Sequence, residues 1–132
     1  MRALRDFARP RVWLGIWILG WVLAIVLSLI KPPDLGLDVR DSDKLGHLLA
    51  YGTLSAWAVM LFAQRRAWLL AALALVALGI GMEFAQGALT DTRLRDPRDA
   101  IANTLGVLLG LTTAHWRAQF ALQALDRRWF FR

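Results

Sequence analysis

The sequence contains no cysteine, which excludes disulfide bridges, thiol catalysis and thiolate metal sites. It has one tyrosine and two histidines, so either residue type marks its position. Acidic residues are scarce too, ten against sixteen Lys and Arg, for a net charge of +6. An excess of positive charge raises nucleic acid as a partner. A nucleic-acid binder, however, arrays its basic residues on one solvated face, whereas here they lie between long apolar runs, as in membrane proteins. No nucleic-acid partner is expected. Low-complexity linkers and internal repeats are absent, and the length suits one domain, residues 1–132.

The chain is instead rich in apolar side chains: 58 % of its residues, seven of them tryptophans, with mean hydropathy +0.45. A soluble domain of this size has no room to bury that much, and a bilayer accepts it. Four apolar runs predict an all-α integral membrane bundle of four transmembrane helices. The first, Val12 to Ile30, is uncharged and matches the ~20 residues that cross a hydrocarbon core. Arg2, Arg5, Arg9 and Arg11 before it resemble the basic start of a signal peptide. The run is too long for that, and no small-residue cleavage site follows, so it reads as an uncleaved anchor. The second run is Leu45 to Ala63, and the third is Ala67 to about Ala88. The fourth, Ala100 to Ala114, is the weakest and is expected to begin at Pro97 and continue past Trp116. Only Gln64, Arg65 and Arg66 separate runs two and three, which predicts a tight antiparallel hairpin.

Basic residues set the orientation. With the N-terminus inside, ten Lys and Arg fall on the inner segments and six on the outer loops 31–44 and 87–99. Both termini are therefore expected in the cytoplasm. The tail Gln119 to Arg132 alternates aromatics with arginines and reads as an amphipathic segment at the inner interface.

On this topology the polar residues gather toward the outer face. Asp43, Lys44, His47 and Tyr51 lie in the outer half of the second helix. Glu83 and Gln86 lie in the last turns of the third, and Asp96, Asp99 and Asn103 in the first turns of the fourth. Helical spacing puts Asp43, His47 and Tyr51 on one stripe, and Gly79, Glu83 and Gln86 on another. Asp96, Asp99, Asn103, Gly106 and Gly110 share a face of the fourth helix. Its GxxxG permits close helix contact, so these polar groups should point into the bundle.

Plainer roles compete for most of these residues. Asp96 before Pro97 suits an N-cap, and Asp99 suits the first turn of a helix dipole. Ser42 and Asp43 can simply start a helix. Tyr51 and His47 can be satisfied core groups, and Asn103 can join helices. Lys44 and Arg98 suit the interface. Glu83 is different. A carboxylate in the last turns of a helix meets the negative dipole end, and intramembrane acids are costly and usually functional. It needs a cation such as Arg93, His47 or Lys44, or it stays protonated.

Asp43-Lys44-x-x-His47-x-x-x-Tyr51, then Glu83-x-x-Gln86, then Arg93-x-x-Asp96-x-x-Asp99-x-x-x-Asn103-x-x-Gly106 resembles the VanZ-like family. These are small membrane proteins named after an accessory protein of teicoplanin resistance. The resemblance covers about residues 43–110. It implies a four-helix layout in a bacterial inner membrane, a cell-envelope setting and a link to glycopeptide susceptibility in some members. The matching residues carry over as signature positions, not as assigned catalysts. Arg95 and Arg98 make the second outer loop more basic than the pattern calls for.

Three functions suit this constellation. In the first, Glu83, Asp99, His47 and Arg93 form a catalytic site on a phosphate-bearing headgroup of a lipid-linked cell-envelope precursor. Arginine would clamp the anion while histidine or glutamate moves a proton. Asp43, Lys44, Tyr51, Gln86, Asp96 and Asn103 would line it. No cofactor is required. A variant with a divalent metal on Asp43, His47, Glu83 and Asp99 has adequate ligands but no established metal-site spacing. In the second, the same cluster binds a membrane lipid or a drug without turnover. In the third, the polar network only locks the bundle or serves a protein partner. Carrier transport suits four short helices poorly unless the chain forms a homo-oligomer.

Overall fold

The computed structural model describes residues 3–30, 42–89 and 96–130, and of Ser42 and Asp43 the backbone only. The described residues are helical, with α1 over Pro10–Leu29, α2 over Ser42–Leu61, α3 over Arg65–Leu89, α4 over Pro97–Leu111 and α5 over Ala121–Phe130. Two of them, α1 and α3, are long and apolar enough to cross a membrane. Pro10 opens α1 at a position where its missing N–H costs nothing. The turn between α2 and α3 is as tight as expected, though the helix already starts at Arg65.

Two expectations shift at the far end of α4. The regular helix stops at Leu111, and Thr112–His115 continue as a 3-10 turn. The backbone then breaks at Trp116 in extended geometry, before a second turn over Arg117–Phe120 leads into α5. The fourth helix therefore does not run past Trp116. The cause is local: Thr112 Oγ1 donates to the Leu109 carbonyl at 2.6 Å, and paired β-branched threonines disfavour a regular last turn.

The tightest contact in the bundle is the crossing of α2 and α4. A Cβ placed on Gly106 would strike the Leu48 carbonyl oxygen, and one on Gly110 would strike the Gly52 carbonyl oxygen. Ser55 Oγ completes the seam by donating to the Val107 carbonyl at 2.9 Å. Small residues let the two backbones meet, as the GxxxG spacing predicts. Helix α1 packs by larger side chains. Trp17 Nε1 donates to the Leu54 carbonyl at 3.0 Å, and its ring meets Trp21 and Phe62 edge to face.

The helices bury polar groups and expose apolar ones. Leu45 and Leu49 of α2 face outward, as do Leu73, Ile80 and Phe84 of α3 and Leu105, Leu108 and Leu109 of α4. On α1 most of the exposed surface is Ile, Leu and Val. A water-soluble monomer rarely exposes apolar patches of this extent.

The chain ends are joined at the opposite end from the polar cluster. Residues 3–5 pair with the end of α2, with Arg5 N donating to the Leu61 carbonyl and Ala63 N to the Ala3 carbonyl, both at 2.9 Å. Asp126 of α5 is fully buried and accepts from the backbone N–H groups of Ala8 and Arg9 and from Trp13 Nε1 at 2.8 Å. The tail is thus helical and amphipathic as expected, but its inner face docks on the start of α1.

Candidate functional site

The site is built from the ends of three helices. The start of α2 contributes Lys44, His47 and Tyr51, the end of α3 contributes Glu83 and Gln86, and the start of α4 contributes Asp96, Asp99 and Asn103. Asp96 is the N-cap of α4: its carboxylate accepts from the Arg98 N–H at 2.9 Å, and Pro97 follows at the first helical position. That hydrogen bond first, and Lys44 second, hold the Asp96 carboxyl below the usual carboxylate range. The capping reading of Asp96 is therefore correct.

Asp99, one turn on, is buried at 6 % exposure and faces α2. Lys44 Nζ lies 3.2 Å from Asp96 Oδ2 and 3.8 Å from Asp99 Oδ1, so one ammonium bridges both acids. His47 Nε2 lies 3.6 Å from Asp99 Oδ2. That is ion-pair range but too long for a direct hydrogen bond. The close α2–α4 seam two turns deeper sets this spacing.

Glu83 is buried at 3 % exposure and accepts the Asp96 backbone N–H at 3.0 Å. Sequence reasoning weighed cations for Glu83 and missed this donor. The acid ends α3 against its dipole, yet it also sits at the positive N-terminus of α4, which favours a carboxylate. Gln86 reaches a third neighbour, with Nε2 donating to the Ser28 carbonyl of α1 at 2.7 Å.

One turn further into the bundle are Tyr51 and Asn103, each 1 % exposed. Among the described residues, the Tyr51 hydroxyl and both amide atoms of Asn103 have no hydrogen-bond partner. Asn103 lies against Gly79, where a Cβ would come within 2.9 Å of the Asn103 Cβ.

The structure thus brings together Lys44, His47, Tyr51, Glu83, Asp96, Asp99 and Asn103, with Gln86 turned toward α1. Arg93 and the Asp43 side chain lie outside the described residues. Of the four residues weighed for a metal, Asp43, His47, Glu83 and Asp99, the last three are described, and among the described residues no three His, Asp or Glu side chains are placed to hold an ion. Sequence reasoning also missed Ser28, whose carbonyl serves through backbone alone, and Asp126. A lone acid among the arginines of the tail, four residues after Leu122 on the same face, was the available signal for the latter.

Comparison with protein-family models, with curated proteins and with solved structures finds no match to this chain.

Proposed function

We propose that the chain is a VanZ-like integral protein of a bacterial inner membrane. Its polar cluster binds the phosphate-bearing headgroup of a lipid-linked cell-envelope precursor at the outer face, with His47, set beside Asp99, donating a hydrogen bond to it. In this reading α1–α4 all span the bilayer and both termini are cytoplasmic. Support for α2 and α4 as spans comes from their exposed leucines and inward polar groups. Length agrees: α4 at 15 residues rises ~22 Å, and the following 3-10 turn adds ~8 Å, together near the ~30 Å of a hydrocarbon core.

The observation that carries the binding reading is the pair Tyr51 and Asn103. A network whose only task is to lock helices satisfies its own atoms. Each buried polar group left unmet costs about 1–3 kcal/mol. Here the hydroxyl and the amide stand one turn beneath an acid–histidine pair with unused hydrogen-bonding capacity. Lys44 and the N-terminus of α4 already face Asp96, Asp99 and Glu83, so in this reading Arg93 is the clamp for the anion.

A structural role is the second reading, favoured by the Lys44 bridge and by the Glu83–Asp96 contact, which tie α2, α3 and α4 together. Binding of a short-chain polyprenyl phosphate to the purified full chain separates the two. Tyr51→Phe, Asn103→Leu and His47→Gln should stay folded and lose binding. Loss of these variants from the membrane, or a wild-type chain that ignores the phosphate, favours the structural reading. The cysteine-free background suits a topology test with Arg65→Cys and Arg93→Cys. Labelling of position 93 from the cytoplasmic side would overturn the leaflet assignment.

A further inference from the structure

The end of the bundle away from the polar cluster has its own chemistry. It collects the start of α1, the end of α2, the start of α3 and the tail, held together by the pairing of residues 3–5 with the end of α2 and by Asp126. Charge is sharply divided along the sequence. The described segments at this end, residues 3–11, 62–66 and 112–130, carry eight arginines and no lysine against two acids, Asp6 and Asp126. The described acids of the polar cluster, Glu83, Asp96 and Asp99, lie at the other end with Lys44 and Arg98. Asp126 does not offset the basic surface, because it is buried and consumed by three donors. Arg9 and Arg11 at the start of α1, Arg65 and Arg66 in the first turn of α3, and Arg117, Arg127 and Arg128 of the tail are all exposed.

Tryptophan is divided the same way. Trp13 and Trp17 lie in the first two turns of α1, Trp57 in the last two turns of α2 and Trp68 in the first turn of α3, while Trp116 and Trp129 belong to the tail. Only Trp21 lies near mid-bundle. Trp129 is 59 % exposed and stacks on buried Trp13 with ring centroids 6.0 Å apart, so the Asp126 anchor fixes its place. Phe120 and Phe130 are exposed beside it, each under an arginine: Arg5 at 5.0 Å and Arg9 at 5.9 Å from the ring centres.

We propose that this end is a binding surface for the anionic phospholipids of one leaflet. The aromatics would sit at headgroup level and the arginines pair with lipid phosphates. Indole and guanidinium side by side are what such an interface selects. Charge complementarity favours anionic over zwitterionic lipid. The α5 helix is then a lipid-facing foot, aimed by Asp126.

The test uses the full chain reconstituted in phosphatidylcholine vesicles containing either brominated phosphatidylglycerol or brominated phosphatidylcholine. Bromine quenches nearby indoles, and the tryptophans report this end almost alone. At low salt, phosphatidylglycerol should associate about five-fold more strongly than phosphatidylcholine, as ~1 kcal/mol per basic group implies. The preference should fall at ~1 M salt, where screening reaches ~3 Å. The triple variant Arg117→Gln, Arg127→Gln, Arg128→Gln should lose most of it, with Arg65→Gln, Arg66→Gln as a second set should the first misfold. Equal quenching by both lipids at low salt, or a preference unchanged in both folded variant sets, overturns the proposal. It shares with the proposed function only the premise of a bilayer-spanning chain. A chain that will not reconstitute removes both, and a chain that reconstitutes without lipid preference removes this one alone.

Discussion

Replacing Gly106 by alanine adds one methyl group at the α2–α4 crossing. The new Cβ would collide with the Leu48 carbonyl oxygen and lie 3.0 Å from the Gly52 nitrogen. Both obstacles are backbone of a regular helix, so no side chain can swing aside and the helices must part. Overpacking of a close contact costs about 1–3 kcal/mol. Parting also strains the Ser55–Val107 hydrogen bond, worth about 0.5–1.5 kcal/mol. A net loss of about 2–4 kcal/mol is expected, less the few tenths to ~1 kcal/mol that alanine gains over glycine in a helix. Gly81→Ala is the control, because nothing lies within 4 Å of its added Cβ and the helix propensity gain should appear alone. Thermal unfolding of both purified variants in one detergent measures the difference. Equal stability of Gly106→Ala and Gly81→Ala would refute a backbone-to-backbone seam. The seam also sets the His47–Asp99 separation, so Gly106→Ala should weaken phosphate binding along with stability.

Asp126→Ala should cost about 2–4 kcal/mol, because it strands two backbone N–H groups and the Trp13 indole in a buried site; Asp126→Asn should cost less, and both should shift tryptophan fluorescence. His47→Gln and Asp99→Asn are expected to be non-additive by about 0.5–3 kcal/mol in a double-mutant thermal-stability cycle, whereas additivity would mean that the 3.6 Å approach carries no energy. The Asp96 carboxyl titrates below its unfolded value, so its contribution is complete above about pH 3.9 and is lost as pH falls through its folded value. Acid unfolding curves of wild type and Asp96→Asn should therefore stand fully apart above about pH 3.9, with wild type the more stable, and converge only as pH falls through the lower folded value.

Legibility from sequence followed the range of the interaction. Helices α1 and α3 were plain in hydropathy, because an uncharged run needs no partner to be recognised. The inward stripes of His47 with Tyr51, and of Asp99 with Asn103 and Gly106, followed from helical spacing, which reports neighbours three or four residues apart. Spacing says nothing about which backbone atom a side chain meets across the bundle. Hence Glu83 was read as needing a cation when it also accepts the Asp96 N–H, and Gln86 was grouped with the cluster although it turns to Ser28. The break at Trp116 was missed for a related reason. The apolar pattern continues through Thr112 and Thr113, while the hydroxyl of Thr112 redirects the backbone.

The anchoring of the residues just before α1 by Asp126 has a bearing on the order of synthesis. The acceptor for Ala8 lies 118 residues downstream, and that for Trp13 lies 113 residues downstream. The ribosome therefore delivers the first apolar helix long before the carboxylate that anchors the segment leading into it. Until α5 arrives, those donors have only water or lipid headgroups to meet them. A chain cut short before Asp126 keeps every hydrophobic helix yet leaves the segment ahead of its first one unanchored. That difference is one a membrane protease can read.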